Sequence, residues 1–179
     1  MEQWVLIEKI HEKRVDNTPE IRDNIPELMR EEPLMDFAIT GQIKNKAVVH
    51  CYVLMLIKEL GMNRLRKPVI QVRFVTNADG AYGLCDGKKG EYAEILIARK
   101  CPHTGRKLGF IEMMQTLAHE MVHARQFIRG QLRNEGYWAW KGRKADNYEY
   151  ENQPWEKEAY RLEKELFLEC FPHFAEFKN

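Results

Sequence analysis

Apolar residues recur along this chain with more than one period, and each period predicts a different element. Phe110, Met114, Leu117, Met121, Ala124 and Ile128 follow one another at alternating spacings of four and three. That is one face of a helix, and Gly130 just beyond it supplies a stop. Residues 45–60, NKAVVHCYVLMLIKEL, are apolar on most sides, which predicts a buried helix ended by Gly61. A last helix is expected from Pro154, a residue suited to the first helical position, to about Cys170. Its core stripe would be Trp155, Ala159, Leu162, Leu166 and Cys170.

Alternation takes over between residues 68 and 99. PVIQVRFV (68–75) is a strand pattern and TNADG after it a turn signal; AYGLCDG (81–87), the turn KKGE and YAEILIAR (92–99) repeat the theme. The spacing predicts a small antiparallel meander, with 92–99 as an edge beside the 110–128 helix. Upstream, residues 18–39 read as helical but interrupted at Pro26 and Pro33, and residues 4–10 fit a strand or a helix start equally. The stretch from Gly130 to Gln153 is polar and aromatic, with Gly136 and Gly142 available for turns, and reads as a loop. The predicted class is α+β: a small antiparallel or mixed sheet packed on the 110–128 helix, N-terminal helices before it and a C-terminal helix after it. No second-domain boundary is visible. Residues 1–179 are expected to form one domain, with 1–62 a helical segment available as a lid and 63–179 the core.

Composition narrows the function. A chain of 179 residues, 44% hydrophobic and 31% charged, can bury a core. Its net charge of +1 gives no bulk attraction to nucleic acid or to an anionic membrane. The short basic clusters at 64–67, 99–107 and 141–144 are flanked by acids and read as solvated loops. Four scattered cysteines without a CxxC pair argue against a zinc ribbon and against a disulfide framework. Cys51 and Cys170, in apolar surroundings, read as small buried residues. The N-terminus lacks a signal-peptide layout, and the longest apolar run, Val48–Ile57, is too short to span a bilayer. A cytoplasmic protein without a membrane partner is expected.

The chemistry is concentrated in LAHEMVHARQ, residues 117–126. Residues four apart share a helix face, so His119 and His123 can present two imidazole nitrogens to one zinc ion. Glu120 is turned roughly 100° away, so it does not complete that pair. It is placed instead to take a proton from water that the metal acidifies. A catalytic site of this kind needs a third protein ligand. Downstream of the motif helix the only histidine is His173, so carboxylates are the candidates. Glu156 and Glu158, in the first turn of the last helix, flank its core stripe on opposite sides, and geometry does not choose between them. Either could equally serve the helix dipole as an N-terminal acid. Gln126 shares the face of His123 and can line the site. Tyr148, Tyr150 and Tyr160 are candidates to steady an oxyanion, Tyr160 first among them because it follows the first turn of the ligand helix. His103 lies in the loop before the motif helix and could face the cleft; Trp138 and Trp140 are expected to wall the site and pack the connecting loop.

HEMVHARQ, then Trp140-Lys141-Gly142, Tyr148 and PWEKEA (154–159) resemble the small zincin metallopeptidases of phage type, related to the minimal gluzincins. The likeness to SprT-like and ImmA/IrrE-type domains is more distant. The resemblance covers roughly residues 69–170 and is most specific in the HExxH and PWExEA segments. It implies a zincin-like fold and zinc as cofactor. It also selects Glu156 as third ligand, with Ala159 three positions later. The SprT pattern departs here, since its third ligand is a histidine and none stands at the matching position. The implied function is a zinc-dependent endopeptidase acting on a protein or peptide laid along the strand at 92–98, with Glu120 as general base. The alternatives are a silent or autoinhibited zincin-fold binding module, closed by the N-terminal segment, and a DNA-associated protease of SprT type.

Overall fold

The computed structural model of the chain describes residues 35–171. The expectations for residues 4–10 and 18–34, the lid reading of that stretch, and His173 lie outside the described residues. In chain order the elements are β1 (Asp36–Gly41), α1 (Lys46–Glu59), β2 (Val69–Val75), β3 (Gly83–Lys88), β4 (Tyr92–Ala98), α2 (Phe110–Ile128), β5 (Leu132–Asn134), β6 (Trp138–Trp140), β7 (Arg143–Lys144), a 3₁₀ turn (Tyr150–Asn152) and α3 (Pro154–Cys170). The class is α+β, as the sequence predicts.

The main sheet has the order β1-β2-β4-β3. β1, β2 and β4 run parallel, and only β3 is antiparallel to its neighbour β4. This corrects the antiparallel meander. The turns at TNADG and KKGE do form, with Asp79, Gly80 and Gly90 all at positive φ and the Gly80 N–H donating to Asn77 Oδ1. β2 and β3, however, do not pair. β4 inserts between them because Ala93, Ile95, Ile97 and Ala98 are completely buried and need a covered, central place. β3, with Gly83, Asp86, Gly87 and Lys88, tolerates an edge far better. The 92–98 strand is therefore interior, and β3 is the edge strand beside α2.

A second correction concerns residues 36–62. Asp36–Phe37–Ala38–Ile39 is strand, not helix, and both β1 and α1 belong to the core: Ile39, Val49, Tyr52, Val53, Leu56 and Ile57 sit in the same apolar cluster as β2, β4 and α2. Helix α1 occupies its expected place. It ends at Gly61 (φ 66°), and Arg129 Nη2, just past the end of α2, donates to the exposed carbonyl of Gly61 at 3.1 Å. Buried Tyr52 donates its hydroxyl to the Met114 carbonyl at 3.3 Å, tying α1 to α2.

Helix α2 buries the predicted stripe. Met114, Leu117, Met121 and Ala124 are wholly inaccessible, and full burial of a side chain such as Leu117 contributes about 1.5–3 kcal/mol. Leu117→Ala, which also leaves a cavity, should cost about 2–5 kcal/mol. At its start the Gly109 N–H donates to Glu112 Oε2 (2.7 Å) and Arg106 grips the same carboxylate from the other side, holding the Glu112 carboxyl down at about 2. Helix α3 begins with Pro154 at its first position and lies along α2.

The stretch between Gly130 and Gln153, expected as a loop, carries a small antiparallel sheet of order β5-β6-β7. Trp138 stacks on Trp155 (centroids 5.6 Å) and Trp140 packs tilted against it (6.2 Å). Phe127, Leu132, Ala145 and Trp155 form a second, smaller core beneath them. The two tryptophans thus pack the connection onto the first turn of α3. Among the described residues no helix is long and apolar enough to cross a membrane.

Candidate metal centre

The apolar stripe of α2 faces the sheet, which turns the next face of the helix toward α3. That face carries His119 and His123, and the first turn of α3 brings Glu156 against them. Ligand atoms of these three buried residues all lie within 4.8 Å of one another. His119 Nε2 and His123 Nε2 are 3.1 Å apart, and the Glu156 carboxylate reaches them at 3.2 and 3.3 Å.

The outer hydrogen bonds of the imidazoles decide what those nitrogens offer. His119 Nδ1 is 2.8 Å from Glu163 Oε2, an acceptor, so Nδ1 carries a proton and donates it. His123 Nδ1 is 2.9 Å from Gln126 Oε1. Gln126 itself is fully buried, and its Nε2 donates to the Trp155 carbonyl (3.1 Å) and to Glu158 Oε2 (2.8 Å). Two acceptors on that side fix the amide with its oxygen toward His123, so His123 also donates from Nδ1. Both Nε2 lone pairs and a carboxylate then point at one small volume. Three acceptors without a donor among them require a cation between them, whether protons or a metal ion.

Electrostatics agree with that demand. Burial works against a charged His119, but the hydrogen bond to Glu156 and the charge of Glu120 raise it to about 9; His123 is raised for the same reasons. Burial likewise opposes ionisation of Glu156, yet hydrogen bonds from His119 and His123 hold its carboxyl down at about 2. The shifts run in one direction: the site favours an ionised Glu156 carboxylate and positive charge on the two imidazoles. Two nitrogens and one carboxylate, with the outer nitrogens anchored, are a donor set that fits zinc.

Glu120 stands apart from this triad, as the 100° turn predicts. It is 6% exposed, and burial pushes its carboxyl up to about 7, against the pull of His123 and His119. β3, the sheet edge, runs past it.

The structure separates the two glutamates that helical geometry alone left open. Glu156 joins the histidines, whereas Glu158 faces the other side of α3, held by Gln126 and by Arg125 at 3.1 Å. Tyr160 sets its ring against His119 (centroids 4.8 Å) and is half exposed. Tyr150, in the 3₁₀ turn, is the tyrosine whose hydroxyl reaches the ligand carboxylate, donating to Glu156 Oε2 at 3.2 Å. Its own hydroxyl is raised well above the ordinary range by burial and then by the charge of Glu156. Tyr148 is exposed, and His103 is exposed in its loop with its ring against Tyr82. Glu163 was not legible as a site residue, though a signal existed: Glu156, Tyr160 and Glu163 are spaced four and three along α3 and so share one face. No known protein family, curated protein or solved structure matches this chain.

Proposed function

We propose that the chain is a zinc-dependent peptidase of zincin-like arrangement, with His119, His123 and Glu156 holding the ion and Glu120 as general base. The observation that carries this reading is the convergence of three acceptor atoms on one buried point, with a second, unligating carboxylate next to it on the same helix. A purely structural histidine pair does not need Glu120 buried beside it. Zinc bound there would supply Lewis acidity, both to a water and to a substrate carbonyl. Glu120 takes the proton of the attacking water at its carboxylate and passes it to the leaving amine. Burial pushes the metal-free carboxyl up to about 7, and a dication held by His119, His123 and Glu156 would favour its ionised form. Tyr160, the expected oxyanion partner, has its ring on His119, and Tyr150, the other candidate at the site, donates its hydroxyl to the ligand carboxylate. Among the described residues β3 has no strand partner on its outer side, an edge on which an extended peptide would pair, so the substrate is placed along residues 83–88 and not along 92–98.

The test is hydrolysis of casein and of a quenched-fluorescent peptide library by purified protein, with zinc, with chelator, and with zinc restored. Activity that disappears with chelator and returns with zinc supports the reading. A zinc-loaded protein that leaves both substrates intact would reduce it to a metal-holding binding module. With a net charge of +1, no nucleic-acid partner is proposed.

A further inference from the structure

Gly83 opens the edge strand with ordinary, non-positive φ, so its backbone does not ask for glycine. Space does. A Cβ built there would lie 2.6 Å from Glu120 Oε1, 2.8 Å from Glu120 Cγ and 2.7 Å from Thr116 Cγ2. Thr116 and Glu120 are one turn apart on α2, so the side of the helix that carries the base rests directly on the strand backbone. Gly87, two alternations further along the same strand, is tight against different atoms, the Tyr92 carbonyl oxygen at 2.7 Å and Phe127 Cβ at 2.9 Å. The two glycines therefore make separable demands: Gly87 lets the helix approach the sheet, and Gly83 leaves room for the carboxylate.

We infer that Gly83 is a positioning residue for Glu120, its missing side chain being the space in which the base is held beside the sheet edge. This rests on the reading of Glu120 as general base. The Glu120 carboxylate is the end of a flexible side chain, so a methyl group at position 83 would be relieved most cheaply by moving that carboxylate. The proton acceptor would leave its place, while Thr116 Cγ2, on a stiff β-branched side chain, would have to yield at some cost to the fold. A displacement on the order of 1 Å costs roughly a hundredfold in rate.

The experiment compares Gly83→Ala with wild type and with Gly87→Ala, each zinc-loaded. The readouts are zinc content, kcat and KM on a quenched-fluorescent peptide, and a crystal structure. Gly83→Ala should keep one zinc and an unchanged KM, lose about a hundredfold in kcat, and show the Glu120 carboxylate displaced with both histidines in place. Gly87→Ala should lose thermal stability and leave the Glu120 carboxylate in its wild-type place. Should Gly83→Ala not fold, the same substitution in a Thr116→Ser background removes the second clash and carries the same readouts. An undisplaced Glu120, or a displaced one with full kcat, overturns the proposal. If wild type hydrolyses nothing, the peptidase reading fails, and the crystal comparison still decides whether Gly83 places Glu120.

Discussion

Removing the metal should make the stability of this protein respond to pH in a way that loading it reverses. In the metal-free site His119 is raised to about 9, against an ordinary value of 6.5, and Glu120 to about 7, against 4.5. Both groups therefore bind protons more tightly when folded. Each contribution is complete below the unfolded value and is lost as pH rises through the folded one, so metal-free stability should fall from about pH 4.5 to 7 as Glu120 ionises and on toward 9 as His119 loses its proton. Zinc must displace the His119 proton. At pH 7, two units below about 9, that displacement weakens apparent affinity about a hundredfold, or about 3 kcal/mol. Affinity should then rise about tenfold per pH unit between 6 and 8.5 for one displaced proton. With buffered free zinc at about a hundred times the dissociation constant, the ion should stabilise the fold by about 2.7 kcal/mol, or roughly 5–10 °C in Tm. The assay is thermal unfolding of loaded and chelated protein from pH 6 to 8.5 at fixed free zinc. The gap between the two curves should widen with pH, chiefly because the chelated protein weakens. A gap that stays constant would mean that no proton is displaced and that the ion binds away from His119. Unfolding of the chelated protein at 25 °C would show that the apolar core contributes less than its burial implies.

Other substitutions separate the roles of neighbouring side chains. Glu120→Gln should keep fold and zinc and lose about 10²–10⁴-fold in hydrolysis; comparable turnover would remove Glu120 from the mechanism. Glu156→Gln should abolish tight zinc binding, while Glu158→Gln, acting only through Gln126, should weaken it by no more than about 10–100-fold. Metal analysis at limiting zinc distinguishes them, and the reverse order would show the ligand choice to be wrong. Trp155→Ala should destabilise the protein by about 3–5 kcal/mol, because Trp155 is 3% exposed and seats the β5-β6-β7 sheet on α3; unchanged denaturant unfolding would count against that role.

What could be read from the sequence follows from which interactions are local. Helix α2 was legible because its stripe is a property of residues three and four apart, and α1 and α3 because Gly61 and Pro154 mark their ends chemically. The paired histidines came with α2. The strand at 36–41 was not legible: only Ile39 in it is buried, and it exists through parallel pairing with β2, a contact that no short window contains. The order of β3 and β4 was hidden for a related reason. Adjacent turn signals suggested neighbours in sequence order, while the burial demand of Ala93, Ile95 and Ile97 placed β4 between β2 and β3. At the site, the helical wheel put Glu156 and Glu158 on equal terms because it knows nothing of what lies opposite. Only the packing of α3 on α2 sends one to the histidines and the other to Gln126 and Arg125. The small sheet at 132–144 escaped notice because its strands are two or three residues long and its glycines read as loop.

One ion is expected among His119 Nε2, His123 Nε2 and the Glu156 carboxylate. The most direct test is a crystal of the zinc-loaded protein measured on both sides of the zinc absorption edge, with the metal content of the same preparation determined. One zinc per chain is expected, with a single anomalous peak at coordination distance, about 2.0–2.2 Å, from all three residues. Stoichiometric protein with the peak elsewhere, or no peak at saturating zinc, would contradict the account.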